Sequence, residues 1–384
     1  MDFRVDADHT ALRKAVREVT ESFGPTYYVE HAERHEATDD LWRALGKQGF
    51  IGINIPEQFG GGGAGMTELT IVCEETAAAG SPLLLLLVSQ AISAEVITRY
   101  GSAEQQQTWL PRMAGGETKV VFAITEPNAG SNSHQLSTTA RRDGDDWLIS
   151  GTKYYISGVD EAEAILVVAR TGTDDATGRG RLSLFIVPTD APGLVAQPLP
   201  VSASLPERQY TLFFDDVRVP SSQLVGAENE GLAQVFHGLN PERITGAAVC
   251  VGVGRYALDK ATEYARSREV WGTPIGAHQG VSHPLAKAKI EVELAALMTA
   301  RAAWQHDQGE PAGEASNMAK YAAAEAALAA VDAAIQTHGG NGLSTEYGLV
   351  PYWGMARLLR IAPVNREMIL NYVAQHSLKL PRSY

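Results

Sequence analysis

The chain has 384 residues, 45% hydrophobic and 20% charged, which excludes a disordered or collagen-like protein and suits two or three domains or one layered domain. Lys and Arg number 32 against 45 Asp and Glu, and the net charge of −13 argues against nucleic acid and anionic membranes as partners. With only Cys73 and Cys250, a disulfide framework is excluded and a cytoplasmic location is expected. Residues 1–6 lack a signal-peptide layout, and the apolar run 83–88 is too short to cross a bilayer.

The first part of the chain, from about residue 8 to residue 115, has a helical pattern. Residues 38–40 are expected to cap a helix that starts before residues 41–45, and further helices are expected over residues 67–79 and 83–100. Apolar side chains recur at spacings of four, three and four residues, as on one helix face, at Leu12, Val16, Val19 and Phe23.

Between residues 120 and 220 the pattern changes to short β-rich runs separated by Asp-Gly, Gly and Pro turn signals. This alternation predicts a compact antiparallel β unit. The segment 171–181, rich in Gly, Asp and Thr, is expected to be an exposed, mobile loop. The predicted strands cover residues 120–125, 147–150, 153–157, 164–169, 182–187 and 210–214.

From about residue 229 the sequence is helical again and rich in alanine, which suits close packing between helices. Helices, a small β unit and a second helical region predict an α+β fold, because the strand–helix alternation of a nucleotide-binding sheet is missing. We expect domains at residues 1–118, 119–225 and 226–384.

Three patterns resemble ligand sites but are interpreted as structural. The Gly-rich run 60–65 lacks the Lys-Ser/Thr of a phosphate loop. Residues 252–257 spell a dinucleotide fingerprint inside a helical pattern, where small residues favour a close helix contact instead. His31 and His35 have the spacing of metal ligands on a helix, but no third ligand is evident, so a solvated helix face is expected.

One ordered string of residues in the β unit points to a ligand site. A strand runs into a polar, glycine-containing loop over residues 122–131, and residues 151–157 belong to a neighbouring strand. The hydroxyls of Thr125 and Ser157 and the ring of Tyr155 are suited to form the edge and wall of a site for a flat ring system.

The sequence resembles the acyl-CoA dehydrogenase family over nearly the whole chain. The best-matched blocks are this string and three further segments, at residues 213–220, 268–279 and 336–342. The resemblance implies an N-terminal helical domain, a middle antiparallel β domain and a C-terminal four-helix bundle. It also implies bound FAD, a homotetramer built as a dimer of dimers, and electron transfer to an electron-transferring flavoprotein in fatty-acid metabolism.

The resemblance also implies site residues, position by position. Tyr155 stands where the family usually has Trp, and Ser157 where it has Thr. Asn132 and Asn240 each stand where Asp is common. Contacts to the acyl-CoA substrate are implied for Ser131, Asn240 and Arg243. Cofactor contacts are implied for Phe122, Ile124, Thr125, Ser131, Tyr155, Ser157, Arg268, Gln279, Gln336, Gly339, Gly340 and Asn365.

The implied reaction removes an α-proton from a thioester while a β-hydride leaves to flavin N5, so a carboxylate must lie beside the substrate. In most of the family this Glu precedes Gly-Thr near the C-terminus, where the present chain has Pro363, which cannot act as a base. The isovaleryl- and long-chain-like branch carries its Glu directly before a helix Arg, as Glu242 precedes Arg243. We therefore expect Glu242 to be the catalytic base, although a Glu after Pro241 also suits a first helical turn. Glu367 is the other nearby carboxylate.

These residues predict an FAD-dependent acyl-CoA dehydrogenase that forms a 2,3-enoyl-CoA. One alternative is a catalytically silent subunit of a mixed tetramer, which Pro363 suggests. Another is an oxygen-using acyl-CoA oxidase or flavin monooxygenase, although 384 residues leave no room for the extra C-terminal domain of larger oxidases. The net charge of −13 is compatible with CoA and FAD, because Arg243, Arg268 and helix N-termini can meet their phosphates locally.

Overall fold

The computed structural model describes residues 6–382, apart from the side chain of His134. Residues 1–5, on which most of the signal-peptide expectation depends, lie outside the described part. Helices form the N-terminal and C-terminal parts and a sheet forms the middle, so the predicted α+β order is confirmed. Within the described residues, no helix combines the length and the apolar character that crossing a bilayer requires.

The N-terminal part is helical, as predicted. Leu12, Val16 and Val19 turn the same face of the first helix to the core, whereas Phe23 packs on the core from just beyond the helix end. The predicted helix at residues 83–100 differs, because Leu86–Ala94 winds as a π-helix before an α-helix resumes. The α-helices are α1 (Ala7–Glu21), α2 (Tyr27–Arg34), α3 (Asp39–Lys47), α4 (Met66–Ala78), α5 (Glu95–Tyr100) and α6 (Ala103–Ala114).

The middle part is an eight-stranded sheet in the order β6-β7-β3-β2-β4-β5-β8, with β1 paired to β4. Most pairs are antiparallel, but β1 runs parallel to β4 and β2 makes one parallel contact with β4. The strands are β1 (Val120–Ala123), β2 (Thr139–Asp143), β3 (Asp146–Ser157), β4 (Ala164–Thr173), β5 (Gly180–Pro188), β6 (Leu194–Leu199), β7 (Gln209–Pro220) and β8 (Leu224–Val225).

Three details of the sheet differ from the prediction. The runs 147–150 and 153–157 are one strand, β3, because irregularities in its pairing with β7 interrupt the alternation without ending the strand. The predicted loop at 171–181 shrinks to a turn between β4 and β5. Strands β2 and β6 have mostly exposed residues, so they lack the apolar alternation by which a half-buried strand is recognised.

The C-terminal part consists of long helices packed side by side. The dinucleotide-like string at residues 252–257 lies inside the first of them, α7, as expected. A Cβ atom on Gly252 would stand 2.3 Å from the carbonyl oxygen of Glu74, and one on Gly254 would stand 2.7 Å from Val292, so both glycines permit close helix contacts. The elements are α7 (Gly231–Ser267), β9 (Glu269–Val270), β10 (Thr273–Pro274), α8 (Gln279–Asp307), α9 (Gly313–His338), α10 (Val350–Ile361) and α11 (Arg366–Tyr372).

Buried ion pairs join the N-terminal helices to the C-terminal bundle. Arg13 of α1 donates to both Glu74 and Glu75 of α4 at 2.6 Å, and Arg17 donates to Glu75 at 2.8 Å. Arg255 of α7 pairs with Glu74 from the other side. Because the two carboxylates are almost fully buried, these guanidinium groups supply the partners without which burial would be costly.

Candidate active site

The polar loop at residues 124–131, which follows β1, is shaped by backbone hydrogen bonds. Glu126 and Ala129 exchange two N–H···O bonds of 3.1 Å, which close a tight turn. The backbone N–H of Tyr154 in β3 donates to the carbonyl oxygen of Thr125 at 2.8 Å. The loop is thereby fixed to the neighbouring strand, and Ser131 at its far end is exposed.

A buried ion pair anchors both sides of this loop. The Lys153 ammonium, fully buried on β3, donates to the Glu126 carboxylate at 2.9 Å and to the carbonyl oxygen of Ile124 at 3.0 Å. Glu126 also accepts from the backbone N–H groups of Ser137 and Thr138 at 2.6 and 3.0 Å. Burial opposes the charge of Glu126, but Lys153 and Ser137 more than compensate, and the pKa of Glu126 falls to about 2. Burial lowers the pKa of Lys153 to about 8, although Glu126 favours its charged form.

Strand β3 then presents an aromatic ring and a hydroxyl next to the loop. Tyr155 has a φ of 58°, in the left-handed region, and its pairing with β7 is irregular there. Its side chain is 55% exposed, with the ring of Tyr154 packed edge-on at 4.4 Å between centroids. Ser157, two residues on, is half-buried and donates its hydroxyl to Gln209 of β7 at 3.0 Å. An exposed flat ring in an unusual backbone conformation is typical of a ligand-contacting position.

Asn365 connects the C-terminal helices to the 124–131 loop. Its side-chain NH2 donates to the Ser131 hydroxyl at 3.0 Å, while its carbonyl oxygen caps α11 by accepting from the Met368 backbone N–H at 2.8 Å. The structure places seven predicted cofactor residues on β1, on the loop that follows it, on β3 and at the start of α11: Phe122, Ile124, Thr125, Ser131, Tyr155, Ser157 and Asn365. Hydroxyls, an amide and an exposed ring on β3 and the neighbouring loop form a donor set that fits the flat, polar-edged isoalloxazine of FAD.

The other predicted cofactor residues lie at a different end of the bundle. Arg268 and Gln279 are exposed near the end of α7 and the start of α8. Gln336, Gly339 and Gly340 are exposed at the end of α9. The ring of Tyr264 in α7 stacks on His338 of α9 at 4.2 Å, which places these two helix ends side by side.

This second group is far from the first along the helices. Lys320 of α9 contacts the turn before Asn365, and Gln336 lies 16 residues further along the same helix. At 1.5 Å per residue this separation is about 24 Å. Within one chain, therefore, the structure does not bring the two groups of predicted cofactor residues together.

The predicted base lies on α7. Glu242 is partly buried, and among the described residues no side chain donates a hydrogen bond to its carboxylate. Desolvation raises the pKa of Glu242 to about 8, against the lowering influence of nearby Arg243 and Lys320. Arg243 donates to the side-chain oxygen of Asn240 at 2.8 Å, so the three residues predicted on this turn of α7 are adjacent.

Lys320 also holds the turn around Pro363, where the resemblance implies the base of most family members. Its buried ammonium donates to the carbonyl oxygens of Arg360 at 3.1 Å and Val364 at 2.6 Å, on either side of Pro363. Burial lowers the pKa of Lys320 to about 8, while Glu242 and other nearby groups favour its charged form. The turn is thus connected to Glu242 by a shared cation, and to the 124–131 loop by Asn365.

The sequence prediction missed three residues that organise this site: Lys153, Gln209 and Lys320. Lys153 and Lys320 carried a usable signal, since each is a lone Lys in an otherwise buried-type segment, a strand and an alanine-rich helix respectively. Gln209 carried none, because its role follows from the register that sets it opposite Ser157.

We predict that the Glu126–Lys153 pair is strongly coupled. Glu126→Gln should lower the free energy of unfolding by about 3 kcal/mol or more, because it leaves a buried ammonium without its counter-ion. The double variant Glu126→Gln/Lys153→Met should lose clearly less than the sum of the single losses. Urea denaturation of the four proteins measures the coupling, and additive losses would contradict the interpretation.

Comparisons with known proteins agree with this arrangement. Sequence profiles of the acyl-CoA dehydrogenase N-terminal, middle and C-terminal domains match residues 6–117, 121–217 and 229–378. The acyl-CoA dehydrogenase FadE12 of Mycobacterium tuberculosis is 56% identical over 379 residues, which cover 98% of this chain and 97% of that protein.

Solved structures resemble the whole chain. Butyryl-CoA dehydrogenase from Megasphaera elsdenii superposes with a TM-score of 0.91 at 26% identity, over 98% of this chain and 100% of its own. The FAD complex of PigA superposes with a TM-score of 0.92 at 26% identity, over 99% and 100%. The matching profiles, the relative of 56% identity and these structures together show that the chain belongs to the acyl-CoA dehydrogenase family.

Proposed function

We propose that the protein oxidises an acyl-CoA to a 2,3-enoyl-CoA, with Glu242 as the base that removes the α-proton. The family makes the protein an FAD-containing oxidoreductase that acts on acyl-CoA. The assignment of the base depends on one observation: Glu242 offers a partly buried carboxylate with a raised pKa, while Pro363 occupies the usual position of the base. We place the protein in the isovaleryl- and long-chain-like branch on this ground.

The surroundings of Glu242 suit an acyl chain. Gly238 and Gly246 stand four residues before and after Glu242, hence on the same face of α7. Cβ atoms on these glycines would lie 3.0 Å from Ile92 and 3.4 Å from Leu87, both in the π-helix Leu86–Ala94. The helix face that carries Glu242 therefore packs closely on the apolar π-helix, a kind of element that is frequent at functional sites.

An apolar neighbourhood also supports the chemistry of a base. A carboxylate with a pKa near working pH accepts a carbon-bound proton better than an ordinary Glu, because its conjugate acid is more stable. The nearby charges of Arg243 and Lys320 keep the pKa from rising further. Bound FAD would supply the hydride acceptor, held by the seven predicted cofactor residues around the 124–131 loop.

Ser131, Asn240 and Arg243 are the proposed substrate contacts. Ser131 is exposed at the junction of the β-sheet with α11, and Asn240 and Arg243 adjoin the base. The Arg243 Nε atom is buried without a partner among the described residues, so this guanidinium retains a donor for an anionic or carbonyl group.

We further propose that copies of the chain assemble as a homotetramer in which one copy completes the cofactor site of another. Arg268, Gln279 and the end of α9 are exposed, and Trp271 beside them is 90% exposed. On α8, Ile290, Leu294 and Leu297 form an exposed apolar stripe at helical spacing. A second copy covering these surfaces would bring the distant group of cofactor residues to the first flavin edge.

Three remaining expectations are kept as proposals. Domain boundaries at residues 118 and 225 fit the change from helices to sheet and back. An electron-transferring flavoprotein is the proposed electron acceptor, and peroxide formation in air would instead favour the oxidase alternative. Both cysteines are free and buried, which supports a reducing compartment and hence a cytoplasmic location.

The first prediction from this function concerns the base. The purified protein should be yellow and should be bleached anaerobically by at least one member of an acyl-CoA panel. Glu242→Gln should retain FAD and bind CoA ligands, but bleach about a thousandfold more slowly, because a general base typically contributes 10²–10⁴-fold.

Glu367→Gln is the matched control for this variant. Glu367 is 75% exposed and should be replaceable without loss of bleaching. Full bleaching of Glu242→Gln would refute the assignment of the base. A yellow wild-type protein that no acyl-CoA bleaches would instead support the silent-subunit alternative that Pro363 suggests.

The second prediction concerns pH. Because the pKa of Glu242 is raised to about 8 and only its carboxylate form can accept the proton, activity should be low at pH 6 and rise until about pH 8. The second-order rate constant for anaerobic bleaching at limiting acyl-CoA should increase about tenfold per pH unit below pH 8 and level off above it. A rate constant that stays flat from pH 6 to pH 9 would contradict the prediction.

The third prediction concerns assembly. Leu294→Asp places a charge in the centre of the α8 stripe and should shift the protein to a smaller species that has lost FAD. Val195→Asp, at a similarly exposed apolar position on β6, should leave both mass and FAD content unchanged. Light scattering with absorbance at the flavin band measures both, and a monomeric wild-type protein would exclude the proposed assembly.

A further inference from the structure

Gln209 controls the hydrogen-bonding direction of Ser157. The two residues face each other in the antiparallel pair of β3 and β7. The Ser157 hydroxyl donates to the Gln209 side-chain oxygen at 3.0 Å. A serine hydroxyl has one proton and two lone pairs, so once the proton is committed to Gln209, Ser157 can act only as an acceptor towards any other group.

The Gln209 side chain is held in place by burial. It is only 6% exposed, and its Nε2 atom is buried without a hydrogen-bond partner among the described residues. An unsatisfied buried amide typically costs about 1–3 kcal/mol. A glutamine at this position is therefore poor for stability alone, which calls for another explanation of its presence.

The acceptor state of Ser157 has a consequence for a flavin. The oxidised isoalloxazine carries mainly acceptor atoms along its polar edge and one N–H donor, and two-electron reduction adds further N–H groups. A hydroxyl that can only accept therefore interacts better with the reduced ring than with the oxidised ring. If its proton were free, the same hydroxyl could turn and donate to the oxidised ring instead.

We propose that Gln209 is a positioning residue that fixes the Ser157 hydroxyl as an acceptor at the flavin edge and thereby raises the reduction potential of bound FAD. This inference depends on the proposed placement of FAD beside Ser157. Gln209 contributes by accepting the hydrogen bond that the Ser157 hydroxyl donates, and it needs no contact with the flavin. A higher potential favours removal of electrons from a saturated acyl chain.

The test is a double-mutant cycle on the flavin midpoint potential. Gln209→Met should lower the equilibrium constant for two-electron reduction about fivefold, as expected for one neutral hydrogen bond. At 29.6 mV per tenfold this is a decrease of about 20 mV. In the Ser157→Ala background, the same Gln209 substitution should change the potential by much less, because the hydroxyl through which Gln209 acts is gone.

Gln197→Met is the matched control, since Gln197 is exposed on β6, outside the site, and should keep the wild-type potential. If Gln209→Met does not fold, Gln209→Asn, whose amide is one methylene too short to reach Ser157, should lower the potential in the same direction. An unchanged potential in the Gln209 variant, or an equal decrease with and without Ser157, overturns the proposal.

Potentials are measured by reductive titration of bound FAD against a reference dye, without acyl-CoA. Failure of this proposal is thereby separated from failure of the proposed function, which would appear as absent FAD or as a wild-type flavin that no acyl-CoA bleaches. A wild-type protein that binds FAD normally but shows no effect of Gln209 refutes only the role of Gln209.

Discussion

The buried ion pair of Glu126 and Lys153 is the constraint on which the rest of the site depends. The loop after β1 has only a few backbone hydrogen bonds of its own, from Glu126, Ala129 and Tyr154, so its shape also depends on side-chain contacts. Glu126 supplies them by collecting the N–H groups of Ser137 and Thr138 together with the Lys153 ammonium. Removing two charges from water is costly, and the cost is offset only while every partner stays in place. The pair therefore enforces one loop geometry, which orients Thr125 and Ser131.

A second buried cation, Lys320, has a comparable role on the helical side. It fixes the turn around Pro363 and also contributes to the field at Glu242. If the base is Glu242, as proposed, the turn around Pro363 needs no catalytic side chain and can be closed rigidly. The proposed base, Glu242, lies on a long helix whose neighbouring glycines permit close packing, so its position is set by the bundle instead of by a terminal loop.

The sequence predicted the order of elements and most helices and strands, because amphipathic periodicity and turn residues are local signals. It could not predict the π-helix Leu86–Ala94, since an apolar run has no period that separates π from α winding. The exposed strand β6 could not be predicted either, because it is defined by its pairing with β7, a long-range contact that has no local signal in the sequence. At the site, the family resemblance named residues such as Tyr155 and Asn365. Long-range pairs such as Lys153 with Glu126 become visible only in three dimensions.

A protein with an acidic surface can bind the anionic ligands of this family because some of its cations are buried. Lys119, Lys153 and Lys320 are almost fully buried, and Arg243 is partly buried, so part of the positive charge is enclosed near the sheet and Glu242. Surface carboxylates more than about 8–10 Å away are screened by salt, whereas enclosed charges are screened much less. A net charge of −13 therefore describes the exterior seen by other macromolecules. The potential inside the site follows from a few local groups, in which the buried cations stand beside the carboxyl groups of Glu126 and Glu242.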